Sequence, residues 1–323
     1  MSIAAVPTLS LARSEWLGFM TREYLDTYVR QGGSAVKVAV VAPDVAALTG
    51  AELLKEAAER GYITASIAAG TLKIHQVDRF YHQVAAAIPW RDLAERFMRS
   101  GLRSLQLEPG DRMSIQSIAA RKDVDEGLIR DRIERLVTDS ILKDHSLTRD
   151  FRIAMTHLCY AAVEPDDLRL ERVEAIEAWL KGELLTLGAL RPLSIFSKIN
   201  RTNARDMFHA TTAWIRNAGV PGLVVVTDIG EYALSRTRRL ADGATLRPLH
   251  KAATLDAYEM VREFIDSTDE MASAFLLFLT GPEFLEDERR GVQTYDALRL
   301  RLVEDVRDRD RPNPLSPMVR ISS

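Results

Sequence analysis

Three polar residues stand at or just beyond the ends of apolar runs, where chains of this kind place chemistry. Thr49 follows "VAVVAPDVAAL", Asp228 closes "LVVVTD", and Thr280 closes "AFLLFLT". A hydroxyl and a carboxylate are the parts that hold a magnesium ion beside a phosphate chain. In a G-x-x-x-x-G-K-[ST] loop, glycines turn backbone N–H groups around the phosphates. The lysine supplies charge, and the Ser or Thr helps hold Mg²⁺. A strand-end Asp then acts on the magnesium shell, and a Glu after it orients the attacking water.

Laid on that template, Ala42 takes the first glycine and Ala47 the second. Leu48 takes the lysine position, and Thr49 keeps the hydroxyl. Ile229 follows Asp228, where it cannot polarise water, and Glu231 comes two residues later. In AAA+-type nucleoside triphosphatases a strand beside the Asp strand ends in a polar residue near the γ-phosphate, and Thr280 fits that place. The frame matches while the chemistry is missing, so "VAPDVAALTGAELL" reads as the relic of a phosphate loop. The competing reading is an ordinary strand-to-helix turn. Alanine Cβ atoms sit where the backbone must approach phosphate, and Asp44 adds a repelling charge. Val45, Ala47 and Leu48 are expected to fill the vacated pocket. Thr49, Asp228 and Thr280 are thus a degenerate nucleotide site. No catalytic residue and no metal site is assigned, and ATP with Mg²⁺ is expected only if that site still binds.

These residues need a parallel sheet to hold them. "VKVAVVA" (36–42) and "YITASIAA" (62–69) read as strands, with helices at 10–30, 50–61 and 76–88. Strand alternating with helix predicts a parallel α/β unit. Residues 90–190 read as mostly helical. "GLVVVTDIGEYAL" (222–234) and "AFLLFLTGPEFL" (274–285) restore the strands, helices follow at 255–267 and 294–306, and "MVRI" is expected to add an edge strand. The fold class expected is α/β: a P-loop NTPase, AAA+-like core with a parallel sheet and a helical, winged-helix-like insertion. Its parts are residues 1–89, an insertion at 90–190 and a return at 191–323.

Within the insertion, "SIQSIAARKDVDEGLIRDRIERLVTDSILKD" (114–144) has a helix-turn-helix cadence. Ile118 and Ala119 mark one helix, Val124 a turn, and Ile129, Ile133 and Leu136 a second, with "ILKD" as the start of a wing. A DNA reader wants basic or neutral residues at the front of its recognition helix. Here that front is Asp123, Asp125 and Glu126, and Arg130, Arg132 and Arg135 alternate with Asp131 and Glu134. A protein-facing surface is favoured over a DNA-facing one. Net charge −3 gives no global drive toward nucleic acid. The one cysteine, Cys159, lies in "MTHLCYAAV" and reads as a buried apolar residue. The six histidines show no metal-ligand spacing. No apolar stretch spans a membrane, and "MSIAAVPTLSLARSEW" lacks the pattern of a signal peptide. A cytoplasmic protein is expected.

The run "WLKGELLTLGALRPLSIFSKINRTNARDMFHATTAWIRNAGVPGLVVVTD" is where a resemblance becomes specific. It resembles the ATP-binding protein family of BREX-type phage-defence systems in its Trp-Leu-x-Gly element, Leu-Arg step, Asn-containing helix and "GxxGLxxxxD" approach to the acidic strand. "LTGPEF" and "YDALRLRL" are similar to that family's later strand end and Tyr-x-x-Leu-x-x-Arg helix, whose arginine matches Arg301. The resemblance implies a P-loop ATPase relative, with Thr49 and Asp228 on the magnesium side. The lysine, the loop glycines and the glutamate after Asp228 do not carry over. The function expected is a pseudo-ATPase acting as a regulatory or assembly subunit of a defence complex. Its partner would be an intact ATPase relative or a second copy. Alternatives are a divergent weak ATPase using Thr49 and Asp228, and a nucleic-acid adaptor working through 114–144.

Overall fold

The computed structural model describes residues 9–68, 73–110, 113–184, 186–239, 245–302 and 312–322. A short strand β1 (Ser10–Ala12) enters α1 (Arg13–Phe19), which continues as a wide π-type coil over Met20–Tyr28. Next come β2 (Ala35–Val40), α2 (Pro43–Glu59), β3 (Ile63–Ala68) and α3 (Val77–Ala86). Helices follow: α4 (Trp90–Ser104), α5 (Ile115–Lys122), α6 (Glu126–Val137), α7 (Arg149–Val163), α8 (Asp167–Leu180) and α9 (Ala204–Asn217). Then come β4 (Leu223–Asp228), the antiparallel pair β5 (Arg238–Arg239) and β6 (Thr245–Leu246), and α10 (Lys251–Asp266). The chain ends with β7 (Ala274–Thr280), α11 (Glu283–Glu286), α12 (Asp296–Leu302) and β8 (Met318–Ser322). Residues 69 and 303–306, expected to end a strand and a helix, lie outside the described residues. Two compact units divide the chain: residues 1–84 with 221–323, and residues 85–220.

The first unit is built on a six-stranded sheet in the order β1-β8-β2-β7-β4-β3, parallel throughout. β2 and β7 are buried along their whole length, which is why they read as unbroken apolar runs. One face packs against α1, the π-type coil and α2, around Trp16, Leu25, Leu53, Val226, Phe275 and Leu279. Gly50 permits close approach there, because a Cβ would lie 3.0 Å from Val226 Cγ1 and 3.2 Å from Leu279 Cδ1. On the opposite face the Phe80 ring of α3 lies 5.1 Å from Phe264 of α10 and 6.4 Å from Phe278 of β7. Crossovers thus leave β2 on one face and return through α10 on the other.

The tail corrects the sequence reading. β8 is not an edge strand; it lies between β1 and β2, and β1 forms the edge. Buried Lys37 of β2 explains the insertion. Its ammonium donates to the Leu315 carbonyl and to Ser316 O at 3.1 Å, and stands 4.8 Å from the Tyr24 ring centroid. Carbonyls and a π face satisfy a cation that would otherwise be costly to bury.

The second unit is helical, with no strand among its described residues. α5 and α6 meet at a turn whose Asp123 adopts φ +52°. Ser114 caps α5 by accepting from Ser117 N at 3.1 Å, and Asp125 caps α6 by accepting from Gly127 N at 2.7 Å. Ile118, Ala119, Ile129 and Ile133 are buried between them. The wing is a second correction: "ILKD" does not open a strand, because the coil of α6 runs on through Leu142. Hydrophobic spacing alone could not separate a continuing helix from a wing. No helix among the described residues is long and apolar enough to cross a membrane.

Candidate functional site

Parallel α/β sheets carry their sites at the carboxyl ends of the strands, where crossovers diverge to opposite faces. Here that edge is level: Val40 pairs with Thr280, Leu279 with Asp228, and Asp228 with Ala68. β7 separates β2 from β4, so the end of β2 lies roughly 10 Å from Asp228 at two strand spacings.

The β2–α2 junction is not a loop. β2 ends at Val40 and α2 begins at Pro43, leaving only Val41 and Ala42 between them. Val41 N donates to Thr280 O at 2.9 Å, which extends the β2–β7 ladder by one residue. Ala42 caps the helix, and its carbonyl accepts from Val45 N and Ala46 N, both at 2.9 Å. Pro43 suits the first helical position because its missing N–H would have had no partner there. Asp44 in the first turn complements the helix dipole. These two residues start the helix one turn earlier than the phosphate-loop template allows, and "Pro-Asp" was the sequence signal for it.

Consequently Thr49 lies inside α2. It is fully buried, and its hydroxyl donates to Val45 O at 2.8 Å within its own helix. Leu48 is 59% exposed and Ala47 is exposed, so they do not fill a vacated pocket; only Val45 turns inward. The helical period separates Leu48 from the buried stripe of Val45, Ala46, Thr49 and Leu53.

At the other strand ends the polar groups gather. Gly230 N donates to Asp228 Oδ1 at 2.8 Å, and Ile229 N donates to Leu279 O at 2.8 Å. A Cβ on Gly230 would lie 3.2 Å from Asp228 Oδ1 and 3.7 Å from Gly281 N, so the ends of β4 and β7 approach through two glycines. Asp228 has one open side, but protein encloses the rest. That enclosure pushes its carboxyl above the ordinary range, against the lowering effect of the Gly230 N–H. Glu231 is raised as well, by its own burial and then by the Asp228 charge. Arg238 pairs with Glu283 at 2.7 Å and does not neutralise that pair. Thr280 is 2% exposed, and its hydroxyl has no hydrogen-bond partner among the described residues. Val226 and Leu279 both face Gly50, so strand alternation sends Asp228 toward the α2 face and Thr280 toward the opposite one.

The edge therefore brings Asp228 and Thr280 to adjacent strand ends on opposite faces, with Glu231 in the turn after β4, and leaves Thr49 in the core. Two carboxylates with raised pKa are suited to a hydrated cation, since Mg²⁺ needs only one or two carboxylates plus water and phosphate oxygens. Among the described residues no three His, Cys, Asp or Glu side chains form a metal cage. The phosphate half of a nucleotide site does not fit. No glycine loop, lysine or free turn precedes α2, and Asp44 sits at the helix mouth.

The residues that carry the family resemblance are framework. Trp179 Nε1 donates to Ser197 O at 2.9 Å, and Gly182, at φ +73°, follows the end of α8. Asn203 Oδ1 accepts from Asn200 N at 2.8 Å, shaping the entry to α9. Gly222, at φ +152°, immediately precedes β4. Arg301 of α12 pairs with Asp266 of α10 at 2.7 Å and 3.0 Å, and Tyr295 donates to Glu259. Arg301 is thus occupied within its own chain.

No curated protein and no solved structure matches this chain. A sequence model described as "BREX system ATP-binding protein BrxC/D" matches residues 51–323. That span begins within α2; it contains Asp228 and Thr280 but not Thr49. It covers most of the molecule, and the chain belongs to the BREX system ATP-binding protein family.

Proposed function

We propose that this protein is a non-hydrolysing member of its family. It serves as an assembly or regulatory subunit beside an intact ATPase relative in the cytoplasm. The observation that carries this reading is the start of α2 at Pro43, two residues beyond β2. A helix that begins there has no backbone left to wrap a triphosphate, and a leucine stands where the charge-assisted lysine contact would be. The placing of β7 between β2 and β4, with Thr280 at its tip, supports an AAA+-like ancestry for the core. Purified full-length protein, titrated calorimetrically with ATP·Mg²⁺ and assayed for phosphate release, should give neither binding heat nor turnover. Mixed with an intact relative, it should co-elute and change that enzyme's rate.

A second reading, a divergent weak ATPase, is favoured by the Asp228–Glu231 pair and the unpartnered Thr280 hydroxyl. Micromolar nucleotide affinity, with turnover abolished by Asp228→Ala, would establish it and reject the first. The nucleic-acid adaptor is the weaker alternative, because Arg130 of α6 is held by Glu164 at 2.7 Å.

A further inference from the structure

Helices α7 and α8 form a hairpin joined by Glu164, Pro165 and Asp166. His157 and Tyr160 stand three residues apart on α7, and Arg169 and Arg172 stand three apart on α8. Each pair therefore lies along one helix face. The four side chains line an open pocket of about 170 Å³, and all four residues are half-buried.

The charges around it are uneven. Arg169 is fixed by Glu164 at 2.9 Å, Asp166 at 3.1 Å and the Glu164 carbonyl at 2.8 Å. Glu164 is shared with Arg130 at 2.7 Å. Arg172 has no such partner: none of the ion pairs among the described residues includes it. His157 is held below its ordinary pKa by burial and by the Arg172 charge, against a hydrogen bond with the Leu193 backbone. Glu134 and Glu164 act electrostatically on Tyr160. Arg172, a phenol and an imidazole thus line one space, and Arg172 is the lining cation that no ion pair among the described residues includes.

We propose that this pocket binds a single phosphate group. Its volume falls below the roughly 300–1,000 Å³ of sites that enclose a drug-sized ligand, so it takes a phosphoryl end, not a whole nucleotide. The lining favours phosphate over carboxylate. Arg172 and Tyr160 donate, with Arg169 held beside them by its carboxylates, and a tetrahedral anion offers more acceptor oxygens than a carboxylate's two. Protonation of His157 on arrival of the anion adds another donor.

The test uses the full chain, with His157 ring signals followed by NMR across pH. Probes are inorganic phosphate, 5′-AMP, sulfate and acetate. Phosphate or AMP should raise the His157 midpoint. Arg172→Ala should weaken that binding by about 10- to 100-fold, the loss of one charge-assisted pair, with Arg172→Gln as a length-preserving second variant and thermal melts as the fold control. Binding of both probes marks any exposed phosphoryl group as ligand, phosphate alone a free-ion site, and AMP alone a nucleotide or nucleic-acid end. Sulfate, a dianion throughout, should shift the midpoint as well. Acetate binding as well as phosphate, no movement of His157, or binding unchanged in both variants would overturn the proposal.

Discussion

Replacing Ala42 and Ala47 by glycine and Leu48 by lysine writes a phosphate-loop consensus back into this chain. The structure sets the cost. Ala42 is exposed and caps α2 at φ −64°, ψ 143°. Glycine is the better cap there by a few tenths of a kcal/mol or more, which offsets the entropy it adds to the unfolded chain. Ala47 is exposed inside α2, where glycine costs about 1 kcal/mol. Leu48 is 59% exposed, and lysine matches leucine in helix propensity, so that change stays within about 0.5 kcal/mol. The triple variant should therefore lose about 1 kcal/mol, a fall of roughly 2–4 °C in Tm for a unit of this size. A buried Leu48 would have cost several times more, since lysine would then be an unpaired charge in the core. Nucleotide should neither bind nor stabilise the variant, because the two-residue turn before Pro43 is unchanged. Differential scanning calorimetry with and without ATP·Mg²⁺ measures both. A loss above about 3 kcal/mol would refute the assigned exposure. Stabilisation by ATP·Mg²⁺ would refute the claim that helix geometry, not the missing lysine alone, closes the site.

Asp228→Asn should raise Tm at neutral pH, because a carboxylate whose folded pKa is raised costs stability above its unfolded value. The gain should vanish on acidification, as seen in paired melts. Glu259 behaves oppositely: Arg262, and then Tyr295, hold it at about 2. It contributes stability above its ordinary pKa of 4.5 that is lost as pH falls toward 2, so Glu259→Gln should flatten the Tm–pH curve over that window. Gly222→Ala should destabilise by about 4 kcal/mol or more, since its Cβ would lie 2.0 Å from the Ser273 carbonyl oxygen at φ +152°; urea unfolding will show it. Gly18→Ala is the counterpart. Nothing lies within 4 Å of that Cβ in α1, so a gain of about 0.4–1 kcal/mol is expected.

Much of the frame was legible because it rests on local rules. "VKVAVVA", "LVVVTD" and "AFLLFLT" are apolar runs that only strands buried on both faces require. Their alternation with helices dictated a parallel sheet, and Asp228 and Thr280 were visible as polar ends of those runs. The family was legible in "WLKG", "GVPG" and the Tyr-x-x-Leu-x-x-Arg helix. Those residues turn, cap and clamp the framework, and such duties demand particular residue types at fixed spacing. The start of α2 was legible too, in a proline and an acid, Pro43 and Asp44, that suit a helix's first turn.

Tertiary structure decided the rest. Strand order placed β7 between β2 and β4 and drew the tail into the sheet beside Lys37, and pairing across hundreds of residues leaves no local trace. Helical phase turned Thr49 into the core and Leu48 out to solvent, which parted Thr49 from Asp228. The α7–α8 hairpin brought His157 and Tyr160 against Arg169 and Arg172, residues scattered among other charges in the sequence. Sequence set which elements form, because propensity and periodicity act within a few residues. Which side chains meet was set by packing, because burying apolar faces fixes the strand order and the rotation of each helix.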